Sequence, residues 1–229
     1  MKILYIEDDI EIIEAIKIIL DKNYFILDYE TNGKSGLLKA SMNNYDLIMI
    51  DINVPEKNGI DICKDLRAMK NNTPIIFLTS ISDDKFLLNA LKAGGDDYVK
   101  KPFNKEELIL RIEAILRRSS NSYIKDKIEY NNFYLDLNLK KLFFRNYKIC
   151  LTKKEFNILE LFFRNQNIII NRQEIFDKIW DENDNPFSNV VEVFIKNIRK
   201  KINKYTKTEL IKNKKCLGYY IGDFDLYFF

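Results

Sequence analysis

The chain has 229 residues, a length that suits one large domain or two domains of ordinary size. Hydrophobic residues make up 46% and charged residues 31% of the sequence, a globular composition that excludes an intrinsically disordered chain. There is no histidine, which excludes Ser-His-Asp and Cys-His nucleophilic sites and all histidine-ligated metals.

Targeting signals and cysteine patterns exclude further classes. The start, MKILYIEDD, becomes acidic after one short apolar stretch, whereas a signal peptide needs a longer apolar core. No apolar run reaches the ~18 residues needed to cross a bilayer. We therefore expect a cytoplasmic protein with no membrane partner. Cys63, Cys150 and Cys216 form no CxxC pair, so we expect buried or incidental thiols rather than a zinc or disulfide site.

The formal net charge of +3 conceals an asymmetry between the two halves. Residues 1–121 carry 17 Lys and Arg against 20 Asp and Glu, whereas residues 122–229 carry 20 against 14. An acidic half and a basic half indicate two separate functions, with the basic half facing a polyanion.

In the first half, five short apolar runs alternate with five amphipathic patterns. The runs cover 3–6, 24–29, 45–51, 74–79 and 96–101, and the helical patterns cover 10–20, 34–42, 58–69, 84–93 and 104–118. This alternation predicts an α/β fold with a doubly wound, five-stranded parallel sheet. Periodicity is then lost in RRSSNSYIK, so we predict a linker at 119–126 between domains at 1–118 and 127–229.

The second half has a different pattern. Short strand candidates come first, in the sequences KIEYN, FYLDL, KKLFF and YKICL. Three helices follow, with starts marked by Thr152 and Glu155 in capping-box spacing, by Asn171 and Glu174 in the same spacing, and by Ser188 or Asn189. ELIKN and GYYIG then form a terminal hairpin pattern. Strands, three helices and a hairpin predict an α+β winged helix-turn-helix.

Unusual polar residues stand where the predicted parallel strands end. Such strand ends are where ligands of an open sheet bind. The residues are Glu7, Asp8 and Asp9 after strand one, Asp51 after strand three, Thr79 at strand four and Lys101 after strand five. Converging carboxylates call for a cation, and an all-oxygen site suits Mg²⁺. A carboxylate there can accept a phosphoryl group whose charge Mg²⁺ and a lysine neutralise while a hydroxyl binds it.

The segments IEDD, IDINVPEKNGID, PIIFLTS and GGDDYVKKPF, in this order, resemble the receiver domain of response regulators. The resemblance covers nearly all of residues 1–118, and it implies a flavodoxin-like strand order in the sheet and Asp51 as the phosphoacceptor. Glu7 and Asp8 match the acidic pair of the family, and of the two Asp8 is the expected direct Mg²⁺ ligand. Asn53 matches the residue whose backbone carbonyl binds the metal. Mn²⁺ is an alternative to Mg²⁺. Asp9 lies one place too late and is interpreted as a helix N-terminal charge.

The resemblance also implies a switch and a phosphodonor. Thr79 matches the switch hydroxyl, Lys101 rather than Lys100 matches the lysine, and Tyr98 matches the aromatic residue that turns inward on phosphorylation. The donor in this family is a phosphohistidine on a sensor histidine kinase. Because this chain has no histidine, the donor must be another molecule.

The last receiver strand and its neighbouring helices resemble those of the OmpR/PhoB family. In that family this face pairs two receivers through ion pairs, which implies a homodimer on activation. Asp97 and Arg111 match one such pair. Glu107 matches one member of another, but its basic partner falls at Leu87, so one pair is missing. Exposed pairs contribute only about 0–1 kcal/mol each, so dimerisation can survive this loss.

The segments LTKKEFNILELFF, NRQEIFDKIW, NVVEVFIKNIRKKI and GYYI resemble the winged-helix DNA-binding domain of the same family. The helix at 188–203 is then expected in the major groove of double-stranded DNA. Its apolar residues recur at helical spacing and are predicted to be core. The predicted DNA face contains Asn189, Lys196, Asn197, Arg199, Lys200 and Lys201. Asn197 occupies the base-reading position and favours adenine, whereas Lys196 and Arg199 are expected at phosphates.

The terminal hairpin carries Lys212, Lys214 and Lys215. Lys215 matches the basic side chain that enters the minor groove, and Tyr219 matches a phosphate-contacting tyrosine. The family has a glycine at the place of Cys216, which leaves the turn of the wing open. Trp180 is predicted to pack in the core, and the loop at 180–189 matches one that can meet RNA polymerase.

We therefore predict a phosphorylation-controlled, DNA-binding transcription regulator, not an enzyme beyond slow self-dephosphorylation. One alternative is an aspartyl-phosphate enzyme, but no substrate-pocket signature supports it and it leaves the basic half unexplained. Another is a DNA-binding regulator whose receiver is only a phosphorylation-independent dimerisation module.

Overall fold

The computed structural model describes residues 1–80, 84–119, 127–180 and 189–223. The chain divides into two compact units, Met1–Tyr123 and Ile124–Phe229. The predicted linker at 119–126 lies outside the described residues except for Ser119. Within the described ranges, no helix is both long and apolar enough to cross a membrane.

The first unit is a parallel sheet flanked by helices. Its strands are β1 (Lys2–Ile6), β2 (Ile26–Glu30), β3 (Leu47–Ile50), β4 (Ile75–Thr79) and β5 (Asp97–Lys100). Its helices are α1 (Ile10–Lys22), α2 (Gly33–Met42), α3 (Gly59–Ala68), α4 (Asp84–Lys92) and α5 (Lys105–Ser119). The strand order β2-β1-β3-β4-β5 confirms the predicted doubly wound sheet and its flavodoxin-like order.

The two faces of this sheet bury separate apolar clusters, because successive side chains on a strand point to opposite faces. From β1, Ile3 and Tyr5 enter the cluster that α1 and α5 cover. Leu4 and Ile6 enter the cluster on the other face, where α2 and α3 pack. All five residues of β1 are buried, so this strand passes through the middle of the unit and ends at the predicted acidic site.

The second unit has the predicted α+β order. An antiparallel sheet contains β6 (Lys127–Tyr130), β7 (Phe133–Asp136), β8 (Lys141–Phe144) and β9 (Tyr147–Ile149). It is followed by α6 (Lys153–Arg164), α7 (Arg172–Ile179), α8 (Val190–Ile202) and a hairpin of β10 (Lys212–Lys214) and β11 (Gly218–Tyr220). Three helices followed by a hairpin confirm the winged-helix prediction.

Two of the three predicted helix starts are confirmed. Thr152 and Glu155 form the complete capping box of α6. The Asn171 side chain accepts a hydrogen bond from the Glu174 amide at 2.8 Å. At α8 the capping residue is Asn189, but its side chain makes no capping hydrogen bond because this position has ψ near 33° rather than the extended value that a cap requires. Ser188, the other candidate, lies outside the described residues.

Trp180 is a core residue, as predicted, with only 2% of its surface exposed. Its ring stacks on Phe176 and meets Phe194 edge-on, each at a centroid distance of 5.5 Å. These contacts join the end of α7 to the first turns of α8. Of the loop at 180–189 that was predicted to meet RNA polymerase, residues 181–188 lie outside the described part of the chain.

Candidate functional site

The carboxyl edge of the parallel sheet holds a nearly buried cluster of charged groups. Asp51 follows β3 and is 7% exposed, and Glu7 follows β1 and is 1% exposed. Lys101, just after β5, reaches both: its Nζ donates to Asp51 Oδ2 at 2.6 Å and also to Glu7 Oε2. Three residues predicted from separate strand ends are therefore joined by one ammonium group.

The backbone fixes the Asp51 carboxylate from the other side. Asp51 Oδ1 accepts a hydrogen bond from the backbone amide of Asn53 at 3.0 Å. The backbone amide of Asp51 donates to the Ile6 carbonyl at 2.9 Å. Gly59, the first residue of α3, lies so close to the Asp51 carbonyl oxygen that a Cβ there would collide with it. The glycine allows α3 to start directly beneath this loop.

The electrostatics of Lys101 follow from these contacts. Burial lowers the pKa of its ammonium group, but the hydrogen bonds to Asp51 and Glu7 outweigh burial and raise the pKa above its ordinary value. Lys101 is therefore charged throughout the physiological range. Its neighbour Lys100 is exposed, which agrees with the preference for Lys101 at this site.

Asp8 and Asp9 differ from Glu7 in being exposed. The Asp9 side chain caps α1, accepting hydrogen bonds from the amides of Glu11 at 2.9 Å and Ile12 at 3.3 Å. This confirms the interpretation of Asp9 as a helix N-terminal charge. Asp8 stands in the sequence between this capping residue and buried Glu7, and it is exposed.

The donor chemistry of this edge fits a hard divalent cation. Glu7, Asp8 and Asp51 offer carboxylate oxygens and Asn53 offers a backbone carbonyl, which are ligands that Mg²⁺ prefers. Among the described residues, however, no three His, Cys, Asp or Glu side chains converge as a ready-made metal site. The Lys101 ammonium, itself a cation, bridges two of the carboxylates. A metal here would therefore share Asp51 with Lys101.

Thr79 and Tyr98 lie on the strands next to this cluster. Thr79 ends β4, is fully buried, and its carbonyl accepts the backbone amide of Lys101 at 2.9 Å. Tyr98, on β5, is half-buried and packs against the cluster on the α2–α3 side of the sheet. The segment that follows Thr79 includes residues 81–83, which lie outside the described residues.

The predicted dimer residues are paired within the chain. Arg111 donates to Asp97 Oδ2 at 2.8 Å and forms an ion pair with Glu107 Oε1 at 2.8 Å. Hydrogen bonds to Asp97 and then Glu107 raise the pKa of the guanidinium. All three residues lie on one surface of β5 and α5, at least a quarter exposed. The side chain of Leu87 lies outside the described part of the structure.

In the second unit, α8 separates core from surface as predicted. Val191, Ile195, Ile198 and Ile202 are buried. The exposed predicted DNA contacts on this helix are Asn189, Lys196, Asn197 and Lys200. They leave one face of the helix free to approach a polyanion.

Arg199 and Lys201 are placed differently from that exposed set. Arg199 donates through Nε at 3.1 Å and Nη2 at 2.7 Å to the Ile211 carbonyl, and its Nη2 pairs with Glu209 at 3.0 Å. Lys201 pairs with Glu155, the buried capping residue of α6, at 2.6 Å. Both cations hold neighbouring segments of the fold, which the helical spacing could not reveal.

The wing turn accommodates its cysteine. The Leu217 amide donates to the Lys214 carbonyl at 3.0 Å, and Cys216 between them has φ +62. This left-handed conformation favours glycine, which explains why the family has glycine there. Lys214 and Lys215 are exposed, whereas Lys212 bonds to the Gly222 carbonyl at 2.9 Å.

Tyr219 sits at the base of the wing. Its backbone pairs with Ile170 through hydrogen bonds of 2.9 and 3.0 Å. Its side chain is half-buried, and burial, followed by the charge of Glu192, raises the pKa of the phenol. The raised pKa keeps the Tyr219 hydroxyl neutral at physiological pH.

One contact of the acidic cluster was not predicted. The hydroxyl of Tyr5, in the middle of β1, donates to Glu7 Oε2. The signal is present in the sequence: a phenol stands among the aliphatic residues of β1, two residues before the acid and hence on the same face.

Comparisons with known proteins agree with this arrangement. Residues 3–113 match the family described as response regulator receiver domain, and residues 146–221 match transcriptional regulatory protein, C terminal. Response regulator ArlR of Staphylococcus epidermidis is 35% identical over 219 residues, which is 96% of this chain and 98% of that protein. Its Staphylococcus aureus counterpart (strain Mu50) is 36% identical over 220 residues, 96% and 99% of the two chains.

The chain belongs to the two-component response regulators. It combines a receiver domain with a DNA-binding domain of the OmpR/PhoB type. A crystal structure of a two-component response regulator from Clostridium difficile is also similar to this regulator, with 38% identity and a TM-score of 0.51 over 53% of this chain and 99% of that one. The family and the fold class predicted from the sequence are thus confirmed.

Proposed function

We propose that this response regulator accepts a phosphoryl group on Asp51 from the phosphohistidine of a sensor histidine kinase and thereby controls its binding to double-stranded DNA. The observation that carries the proposal is the bridge from Lys101 to Asp51 and Glu7. A carboxylate held this firmly beside a cation is prepared for a charged reaction partner.

In the proposed reaction, an Asp51 carboxylate oxygen attacks phosphorus as the phosphorus–nitrogen bond to the kinase histidine breaks. The imidazole leaves with the electron pair of that bond. Lys101 stays beside Asp51 and neutralises charge on the transferred group. Glu7, Asp8, Asp51 and the Asn53 carbonyl would hold Mg²⁺, or Mn²⁺, which when bound neutralises phosphoryl oxygens.

The phosphoryl group brings a charge of about −2 to a nearly buried position, and this drives the proposed switch. The Thr79 hydroxyl moves to bind it, and Tyr98 turns inward against the core that it already touches. The surface of β5 and α5 is remodelled as a result, and two receivers pair through Asp97, Glu107 and Arg111. Arg111 must then exchange partners within its chain for partners in the other copy, which makes this a weak, reversible interface.

On DNA, α8 lies in the major groove. Asn197 reads an adenine, while Lys196, Lys200 and Asn189 contact the backbone or neighbouring bases. Lys215 enters the minor groove and Tyr219 contacts a phosphate. We assign Arg199 to holding the wing, because its guanidinium is bonded to Ile211 and Glu209. Because the OmpR/PhoB family, which this chain resembles, binds DNA as tandem dimers, we expect direct repeats about one helical turn apart.

The test is phosphoryl incorporation into the full chain from acetyl phosphate, followed by intact mass. We expect wild type to gain one phosphoryl group in Mg²⁺ and none in EDTA, and Asp51→Asn to gain none. Asp61→Asn is the matched control, because this carboxylate is exposed on α3 and should leave incorporation unchanged. Incorporation into Asp51→Asn at the wild-type rate would overturn the assignment. A wild type that never incorporates phosphate but binds DNA would favour a receiver that serves only as a dimerisation module.

A further inference from the structure

Tyr5 is the largest residue of β1 and is fully buried. Its ring lies in the apolar cluster beneath α1 and α5, and its hydroxyl donates to Glu7 Oε2. The same oxygen accepts the Lys101 ammonium, which in turn donates to Asp51. A continuous chain of hydrogen bonds therefore runs from the core of the receiver to the proposed phosphoacceptor.

Packing alone does not account for the phenol. A buried hydroxyl costs free energy unless it is hydrogen-bonded, and an aliphatic side chain would fill an apolar strand without that cost. Glu7 is itself 1% exposed, so its charge depends on the donors around it. The phenol is the donor in its hydrogen bond to Glu7, so removing the hydroxyl would leave this buried carboxylate one donor short.

We propose that Tyr5 is a positioning residue of the phosphoacceptor site, fixing the Glu7 carboxylate in the orientation that serves Lys101 and a bound Mg²⁺. This inference rests on the function proposed above. The Tyr5 hydroxyl binds to a metal ligand rather than to the metal. Like other hydrogen-bond partners of metal ligands, it orients the Glu7 carboxylate and stabilises its charged form. The hydrogen bond of the Tyr5 hydroxyl is to Glu7, so its effect on a bound metal passes through that carboxylate.

The receiver contains a matched control at the other end of the same sheet. Tyr45 is also buried, and its hydroxyl donates to the buried carboxylate of Asp28 at 2.8 Å. That carboxylate pairs with Lys2 at 2.9 Å, at the start of β1. Tyr5→Phe and Tyr45→Phe therefore each remove one buried phenol hydroxyl from a carboxylate–lysine pair, and only the first pair belongs to the proposed site.

The experiment is a MgCl₂ titration of the full chain, followed by backbone amide NMR shifts without any phosphodonor. We expect Tyr5→Phe to weaken Mg²⁺ binding about tenfold, the lower end of the effect of losing a partner of a metal ligand. Tyr45→Phe should leave the Mg²⁺ Kd within about twofold of wild type, although both variants lower the thermal unfolding midpoint. In a Glu7→Gln background, Tyr5→Phe should have no further effect on the Kd, because its target has lost its charge.

Two results would overturn the role of Tyr5 alone: a Tyr5→Phe variant that binds Mg²⁺ as wild type does, or one that loses no more affinity than Tyr45→Phe. Failure of the wild type itself to bind Mg²⁺ would overturn the metal-dependent function proposed above together with Tyr5. The wild-type titration therefore separates failure of the inference from failure of its basis.

Discussion

The two domains of this regulator use charge in opposite ways. In the receiver, Glu7, Asp51 and Lys101 are nearly buried and bonded to one another. In the DNA-binding domain, Lys196, Lys200 and Lys215 are exposed. Phosphoryl transfer needs groups held in fixed geometry, whereas attraction to a polyanion needs charges that remain accessible. Burial therefore separates the Glu7–Asp51–Lys101 cluster of the receiver from the exposed lysines of the DNA-binding domain.

Arg199 shows that this distinction also applies within one helix. It lies on α8 beside exposed lysines but bonds to Ile211 and Glu209. Its guanidinium therefore connects α8 to the segment leading into the wing. The same basic helix thus carries two cations bonded within the fold, Arg199 and Lys201, and others that are exposed.

The largest expected effect is on the rate of phosphoryl transfer when Lys101, the buried cation, is replaced. Lys101→Met should slow phosphoryl transfer to Asp51 about a hundredfold, the scale of losing one preorganised group at a developing charge. Transfer from acetyl phosphate, timed by intact mass, measures it. Lys100→Met removes the adjacent exposed lysine and should leave the rate unchanged. Equal rates in the two variants would remove the special role of the buried lysine.

Next in size is the contrast between Arg199 and Lys196. Arg199→Ala should lower the free energy of unfolding of the DNA-binding domain by about 2 kcal/mol, because it removes hydrogen bonds from a charged donor. Lys196→Ala should leave unfolding unchanged and reduce the salt slope of duplex binding by about 0.9.

Trp180 makes this contrast measurable in the full chain. It is the single tryptophan and is buried in the DNA-binding domain, so its fluorescence during urea denaturation reports on that domain. If Arg199→Ala kept full stability but flattened the salt slope as Lys196→Ala does, Arg199 would be a phosphate contact.

A smaller, sequence-dependent effect is expected at Asn197. Asn197→Ala should cost about 1.5 kcal/mol on the preferred duplex and less on duplexes changed at one A·T pair, because an asparagine amide bonds both N6 and N7 on the major-groove edge of adenine. Binding-site selection on random duplexes, with wild type and variant in parallel, measures this. Asn203→Ala, at the exposed C-terminal end of α8, should select the wild-type sequence. Unchanged selection by Asn197→Ala would remove its base-reading role.

The smallest effect concerns the wing turn. Cys216→Gly should raise the free energy of unfolding by about 1 kcal/mol, because a glycine relieves the left-handed conformation at φ +62. Cys150→Gly, at an exposed position without a positive φ, should lower it instead. Urea denaturation followed by Trp180 fluorescence decides this. A Cys216→Gly variant that is no more stable than wild type would show that the turn is unstrained.

Much of the fold was predictable because its signals are local. The alternation of apolar runs and amphipathic helices gave the parallel sheet, and Thr152 with Glu155 marked the start of α6. The acidic site was predictable because parallel strands end at one edge, which brings Asp51 and Lys101 together although they are 50 residues apart.

What could not be predicted depends on contacts between distant segments. The pairing of Arg199 with the Ile211 carbonyl depends on how the chain turns back after α8, and the pairing of Lys201 with Glu155 depends on how α8 packs against α6. Helical spacing assigns all these cations to one surface and cannot tell which are already engaged. The conformation of the turn at Cys216 could not be predicted, because a cysteine in the sequence does not indicate a left-handed backbone.

The most direct test of the account is the duplex affinity of the full chain over a range of salt concentrations, with and without acetyl phosphate in Mg²⁺. We predict that the donor tightens binding by wild type and leaves the affinity of Asp51→Asn unchanged. Superimposable wild-type isotherms with and without the donor, under conditions where mass shows that Asp51 is phosphorylated, would contradict the claim that this carboxylate controls DNA binding.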